Sequence, residues 1–132
     1  MTGIPAQFLD LVKDKKAFAN LATVMPDGTP HVTPVWFDYV NGLLRVNTAK
    51  GRVKARNMKA GAPVAMSIMD PDNAYRYLQV RGRVKRMTEH GADAHIDSLA
   101  KKYLGQDKYP YRQPGEVRQM FEIEPTHTSV MG

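Results

Sequence analysis

The chain reads as a mainly β protein, a small antiparallel barrel of five or six strands with three helices packed around it. Three observations predict this. Pro26-Asp27-Gly28 and Asn41-Gly42 stand between apolar runs, and Asp-Gly and Asn-Gly readily supply the positive φ of a hairpin turn. From Leu78 to Val84 apolar and polar residues alternate, with Gly82 on the apolar side, the period of a half-buried strand. No repeat, low-complexity tract or linker interrupts the 132 residues, so the strands belong to one domain with short helices at its periphery.

In chain order, residues 4–15 predict a first helix, with Phe8, Leu11 and Val12 near helical spacing and Pro5 acceptable in its first turn. Residues 17–25 form a strand closed by the Asp-Gly turn. The return strand, residues 29–39, contains Pro30 and Pro34. Proline lacks the ladder N–H, which places this strand at a sheet edge or bulges it near Pro34. Residues 43–47 follow, then a basic helix over 51–59 with Gly61 as its terminator. Residues 63–69 are an apolar strand and 70–73 a loop. The long strand 75–87 places Tyr75, Tyr77, Gln79, Arg81 and Arg83 on one side, and Gly82 in it signals a bend or bulge. Residues 88–104 are helical with Thr88 as the cap, and 105–115 form a Tyr- and Pro-containing loop. Residues 116–124 make a last alternating strand, and the tail 125–132 extends it.

Composition narrows the chemistry. There is no Cys, which excludes disulfides and thiolate metal sites and makes the cytoplasm the default location. The N-terminus lacks the charged and apolar regions of a signal peptide, and no apolar run reaches the roughly 20 residues that span a bilayer. A formal charge of +6 favours acidic partners, with nucleic acid, anionic membrane and a phosphorylated cofactor all satisfying charge alone.

Motifs for serine hydrolases, P-loop nucleotidases and Rossmann enzymes are absent. His31, His90, His95 and His127 are scattered without ligand spacing, so no metal site is expected. Glu122 and Glu124 share a strand face, which reads as a solvated pair. The positive cluster Lys50, Arg52, Lys54, Arg56 and Lys59 is different, because no acidic residue lies between Thr48 and Ala60. A solvated helix usually mixes signs. Arg52 and Lys54 fall in the first helical turn, where unpaired backbone N–H groups and the positive dipole end also favour an anion. Trp36 in its apolar strand reads first as core. Tyr75 and Tyr77 are either cross-strand packing or a stacking surface for a planar ring.

The ordered set Asp27 to Phe37 (DGTPHVTPVWF), Val46 to Met58 (VNTAKGRVKARNM) and Pro63 to Ile68 (PVAMSI) resembles the pyridoxamine-5′-phosphate-oxidase-like split β-barrel family. Within it the chain is most similar to the actinobacterial branch that uses the deazaflavin coenzyme F420, and the tail Pro125 to Val130 agrees. The resemblance implies one split-barrel domain over residues 1–132, of about six mostly antiparallel strands with peripheral helices. It implies a homodimer with two cofactor sites at the subunit interface. Asn47, Thr48, Arg52 and Lys54 would hold the cofactor phosphate. His31, Thr33, Pro34, Val35 and Trp36 would line the floor under the ring system, and Tyr75 and Tyr77 would reach the site from the other subunit. The implied activity is hydride transfer from reduced F420 to a small electron-poor, enone- or quinone-like substrate. No catalytic acid or base side chain is expected, the proton coming from solvent or a substrate-facing Tyr.

FMN is the alternative cofactor, since it has a phosphate in a comparable place. A longer tail groove for F420 would draw on Arg56, Lys59, Lys101 and Lys102. A pyridoxine-phosphate oxidase would need a second phosphate site near Arg112, Arg118 and His127, where no close motif stands. A coenzyme-storing protein without turnover would use the same cofactor residues, and a nucleic-acid-binding module would show affinity that falls steeply with salt. Neither nucleic acid nor a membrane span is expected.

Overall fold

Among the described residues there are seven strands, β1 (Ala19–Val24), β2 (Pro30–Val35), β3 (Asp38–Val40), β4 (Leu43–Ala49), β5 (Pro63–Asp70), β6 (Asn73–Thr88) and β7 (Arg118–Met131). They pair antiparallel in the order β2-β1-β5-β6-β7-β4-β3. The helices are α1 (Leu9–Lys13), entered through a short 3-10 turn, α2 (Val53–Asn57) and α3 (Ala92–Leu104). This computed structural model describes residues 3–132. Met1 and Thr2, which open the stretch read as lacking a signal peptide, lie outside the described residues.

The prolines act where their chemistry allows. β2 is an edge strand, paired on one side only, with Pro34 opposite Asn20 and Pro30 opposite Val24. A missing N–H therefore costs no ladder bond on the open side. The expected strand 29–39 is in fact two, β2 and β3, because the chain leaves the ladder at Trp36 and Phe37. Phe37 turns into the core at 0% exposure, and burial of an aromatic ring of this size outweighs two lost ladder positions.

The long strand alternates as expected. Leu78, Val80 and Val84 are buried while Gln79, Arg81 and Arg83 are exposed. The β6–β7 register shifts at Arg81/Gly82, and a Cβ on Gly82 would run into the Glu124 carbonyl oxygen, so the bulge requires glycine. The tail does continue the last strand, through Met131.

Four expectations change. Helix 4–15 shrinks to the 3-10 turn and α1. Thr88 ends β6 instead of capping α3, whose cap is Gly91 at φ 79°. The loop 70–73 is a hairpin turn, Asp70 pairing with Asn73. Glu122 is not solvated but buried, paired with Arg86.

The main core gathers Leu11, Leu21, Phe37, Leu44, Ile68 and Phe121 from both ends of the chain. A smaller cluster of Ile96, Leu99 and Tyr103 on α3 packs against Trp36 and Tyr109, and the candidate site borders it. Among the described residues no helix is long and apolar enough to cross a membrane.

Candidate functional site

An open cleft of about 200 Å³ lies where the end of β2, the end of β4, the start of α2 and the loop after α3 meet. Its apolar and aromatic side comes from Trp36, Tyr109, Tyr111, Ile96 and Leu99. Its polar side comes from Asn47, Thr48, Arg52, Lys54 and Arg118. No carboxylate among the described residues lines it.

The aromatic side is built by stacking. Trp36 lies parallel to Tyr103, with centroids 5.3 Å apart and 5° between planes, and Tyr109 meets it edge-on at 6.0 Å. Tyr103 is itself anchored, donating its hydroxyl to the Ala17 carbonyl at 2.6 Å. Burial pushes its phenol up to about 12, so it stays a neutral donor. Trp36 thus belongs both to the small core and to the cleft wall. The loop expected over 105–115 supplies Tyr109 and Tyr111, and it is pinned where the Tyr109 N–H donates to Asp97 at 2.8 Å.

The positive side does not depend on a helix mouth. α2 has only five residues, since Gly51 at φ 93° and an extended Arg52 delay its start. So short a helix sums few peptide dipoles. The field comes from side chains. Burial lowers the pKa of Lys54 first, and the positive charges of Arg52 and Arg118 lower it further. Its ammonium reaches Thr33 Oγ1 at 3.3 Å. Three cations brought together without an opposing carboxylate in the cleft are the donor set of an anion site.

Arg118 is the residue that sequence reasoning did not place here. It lies on β7 opposite Ala49, and only that register carries it to the cleft. Its guanidinium is 7% exposed, donates Nε to Asn47 Oδ1 at 2.8 Å and Nη1 to Glu116 at 2.7 Å, and sits 5.1 Å from the Tyr109 ring centroid. Asn47 is therefore turned toward Arg118 and is not a free contact for a ligand.

The geometry accords with the comparisons. Residues 4–132 match the family described as pyridoxamine 5′-phosphate oxidase. The chain belongs to this family. An F420 reductase from Mycobacterium smegmatis is 37% identical, with 96% of this chain and 98% of that chain covered at a TM-score of 0.82. A conserved hypothetical protein from Mycobacterium tuberculosis is 21% identical over 99% of this chain and 86% of that one, at a TM-score of 0.72. A heme storage protein from Vibrio cholerae is 17% identical over 99% and 96%, at 0.68. The last two show the fold alone. No curated protein matches the chain.

In this pyridoxamine-5′-phosphate-oxidase-family chain the split-barrel fold holds, and seven of the expected site residues line one cleft: Pro34, Val35, Trp36, Asn47, Thr48, Arg52 and Lys54. Thr33 adjoins it through Lys54. His31 does not line it. It faces Thr23 across the β1–β2 ladder, with a buried Nδ1 that has no partner among the described residues. Tyr75 and Tyr77 are not in this cleft either. They lie near the start of β6, Tyr75 being 81% exposed.

The wider positive groove does not converge. Arg56 and Lys59 line a separate hollow beside Met58 and Phe121, Lys101 pairs with Asp107 at 3.2 Å, and Lys102 points inward to the Phe37 carbonyl at 3.0 Å. Of the C-terminal candidates, Arg112 is held by Asp93 and Asp97 and His127 lies elsewhere on the sheet, so only Arg118 reaches the cleft.

Proposed function

We propose that this protein is an F420-dependent reductase acting on small electron-poor organic compounds, enones or quinones. The observation that carries the reading is the cleft itself: Arg52, Lys54 and Arg118 with no carboxylate in its lining, the Glu116 partner of Arg118 lying outside it, beside an aromatic wall in which Trp36 and Tyr109 stand edge to face. The donor set fits a phosphate and the wall fits a planar ring. The 37% identity to an F420 reductase over nearly the whole of both chains favours the deazaflavin over FMN.

In this proposal Arg52, Lys54 and Arg118 hold the phosphate, with the Thr48 hydroxyl beside them. When bound, the reduced coenzyme supplies the hydride. Pro34, Val35 and Trp36 fix the height and tilt of the ring system, and Tyr109 and Tyr111 close one side of the pocket against water. No side chain in the cleft is assigned as acid or base, so the proton comes from solvent or a Tyr hydroxyl facing the substrate. The domain works as a cytoplasmic homodimer, with Tyr75 and Tyr77 of each subunit completing the site of the other.

Titration with oxidised F420 and with FMN tests the cofactor. Binding of F420 at micromolar concentration or below, well ahead of FMN, is expected. Micromolar FMN binding with none for F420 would overturn the assignment. Consumption of reduced F420 by an enone and quinone panel separates a reductase from a protein that only stores the coenzyme.

A further inference from the structure

Behind the cleft, five side chains from four elements are joined end to end. Arg118 donates Nε to Asn47 Oδ1 at 2.8 Å. Asn47 Nδ2 donates to the Ala92 carbonyl at 2.8 Å and lies 3.1 Å from His95 Nδ1. His95 Nε2 sits 3.3 Å from Asp38 Oδ2, near enough for an ion pair but off hydrogen-bond geometry. Asp38 is gripped by Arg45 through Nε at 2.8 Å and Nη2 at 2.6 Å.

The chemistry of these groups allows one placement of protons. A guanidinium only donates, so Asn47 presents its oxygen to Arg118. A main-chain carbonyl only accepts, so the amide nitrogen faces Ala92. That nitrogen meets His95 Nδ1 as a donor, so Nδ1 carries no proton, and the neutral ring bears its proton on Nε2, on the Asp38 side.

We infer that His95 is a positioning residue for the anion site: beside the Ala92 carbonyl it is the second acceptor for Asn47 Nδ2, and by accepting there it holds the amide orientation and, through it, the aim of Arg118. This rests on the proposed reading of the cleft. An Asn47 amide turned over would set its NH₂ against the Arg118 Nε–H, donor to donor, and release the guanidinium from its hydrogen bond to β4. His95 is 5% exposed and lines no part of the cleft, so it acts through Asn47. Asp38, clamped by Arg45, faces the far side of the ring and holds it in place.

Nitrogen-15 spectra of the ligand-free protein test the tautomer without any substitution. His95 is expected as the Nε2–H form, and the Arg118 Nε–H signal as slowly exchanging. That signal should be lost in His95→Leu and kept in His95→Asn, whose Oδ1 can accept where Nδ1 did. With oxidised F420 as the probe, His95→Leu and Arg118→Ala should each weaken binding roughly tenfold, as for loss of a charge-assisted contact. The double variant should be no weaker than Arg118→Ala, and His95→Asn should recover affinity to within about threefold of the parent. An Nδ1–H tautomer, an Arg118 signal indifferent to His95→Leu, or additive losses would overturn the inference. If the parent protein takes no F420, the functional reading fails, and the two spectra alone decide the role of His95.

Discussion

Lys54 is held charged at a cost to the ligand-free fold. Burial and two neighbouring cations lower its pKa, so the protonated form is disfavoured in the folded chain relative to the unfolded one. That cost is present at neutral pH and fades as pH rises through the lowered value. An anion in the cleft offsets it. Lys54→Ala should therefore weaken F420 binding by about 1–3 kcal/mol and leave the ligand-free protein as stable as the parent, or more stable by ~0.5–1 kcal/mol. Arg52→Ala should weaken binding by a similar amount, about 1–3 kcal/mol. Calorimetric titration and thermal unfolding of the same samples check both halves, and unchanged affinity in both variants would make these side chains a solvated patch. Residues of this kind are legible through the family resemblance, whose motifs are short runs of close neighbours along the chain: Pro34 to Trp36, then Asn47 to Lys54. Arg118, Tyr109 and His95 are not, since only strand register and the packing of α3 bring them to the same place.

Elements were legible where one local signal settles them. The hairpin turns, the edge placement of the proline strand and the bulge at Gly82 all follow from backbone chemistry that neighbouring residues cannot override. Breaks that depend on the rest of the molecule were hidden. Nothing in the run PVWF marks the exit from the ladder after Val35, which is driven by a buried site for Phe37 and a stacking partner for Trp36. Likewise α2 carries a helical pattern through Lys59 but stops at Asn57, because Met58 turns to φ −99°, ψ 51° and is buried in the core. The bulge gives the test at this scale. In Gly82→Ala the new methyl meets backbone, the Glu124 carbonyl oxygen, and not a side chain that can swing aside. A loss of about 2–4 kcal/mol is expected by denaturant unfolding, with the cleft residues of β2, β4 and α2, which lie on other elements, unaltered in the variant that remains folded. A loss below about 0.5 kcal/mol would mean that β6 and β7 can re-register around the bulge.

At the scale of the whole molecule, the cleft is open and the aromatic pair expected to complete it stands apart from it. Tyr75 is 81% exposed at the start of β6, and Val32 and Met131 are also exposed, at 62% and 51%. A large aromatic side chain left in water contributes little to its own fold, so Tyr75→Ala should not lower the thermal midpoint of a monomer. In the proposed dimer it should weaken F420 binding by about 1 kcal/mol, the worth of an aromatic contact. Sedimentation should give twice the 14.8 kDa of one chain. Mixing of subunits makes the test specific. Tyr75→Ala carries an intact cleft and Arg52→Ala an intact Tyr75. If each site draws on both chains, a heterodimer of the two variants has one complete site and one doubly damaged site. Random exchange in an equal mixture makes half the dimers mixed, so about a quarter of all sites should regain parental affinity, one site per twofold-symmetric pair being rebuilt. A mixture that binds as the plain average of the two variants would place each cofactor site within a single chain.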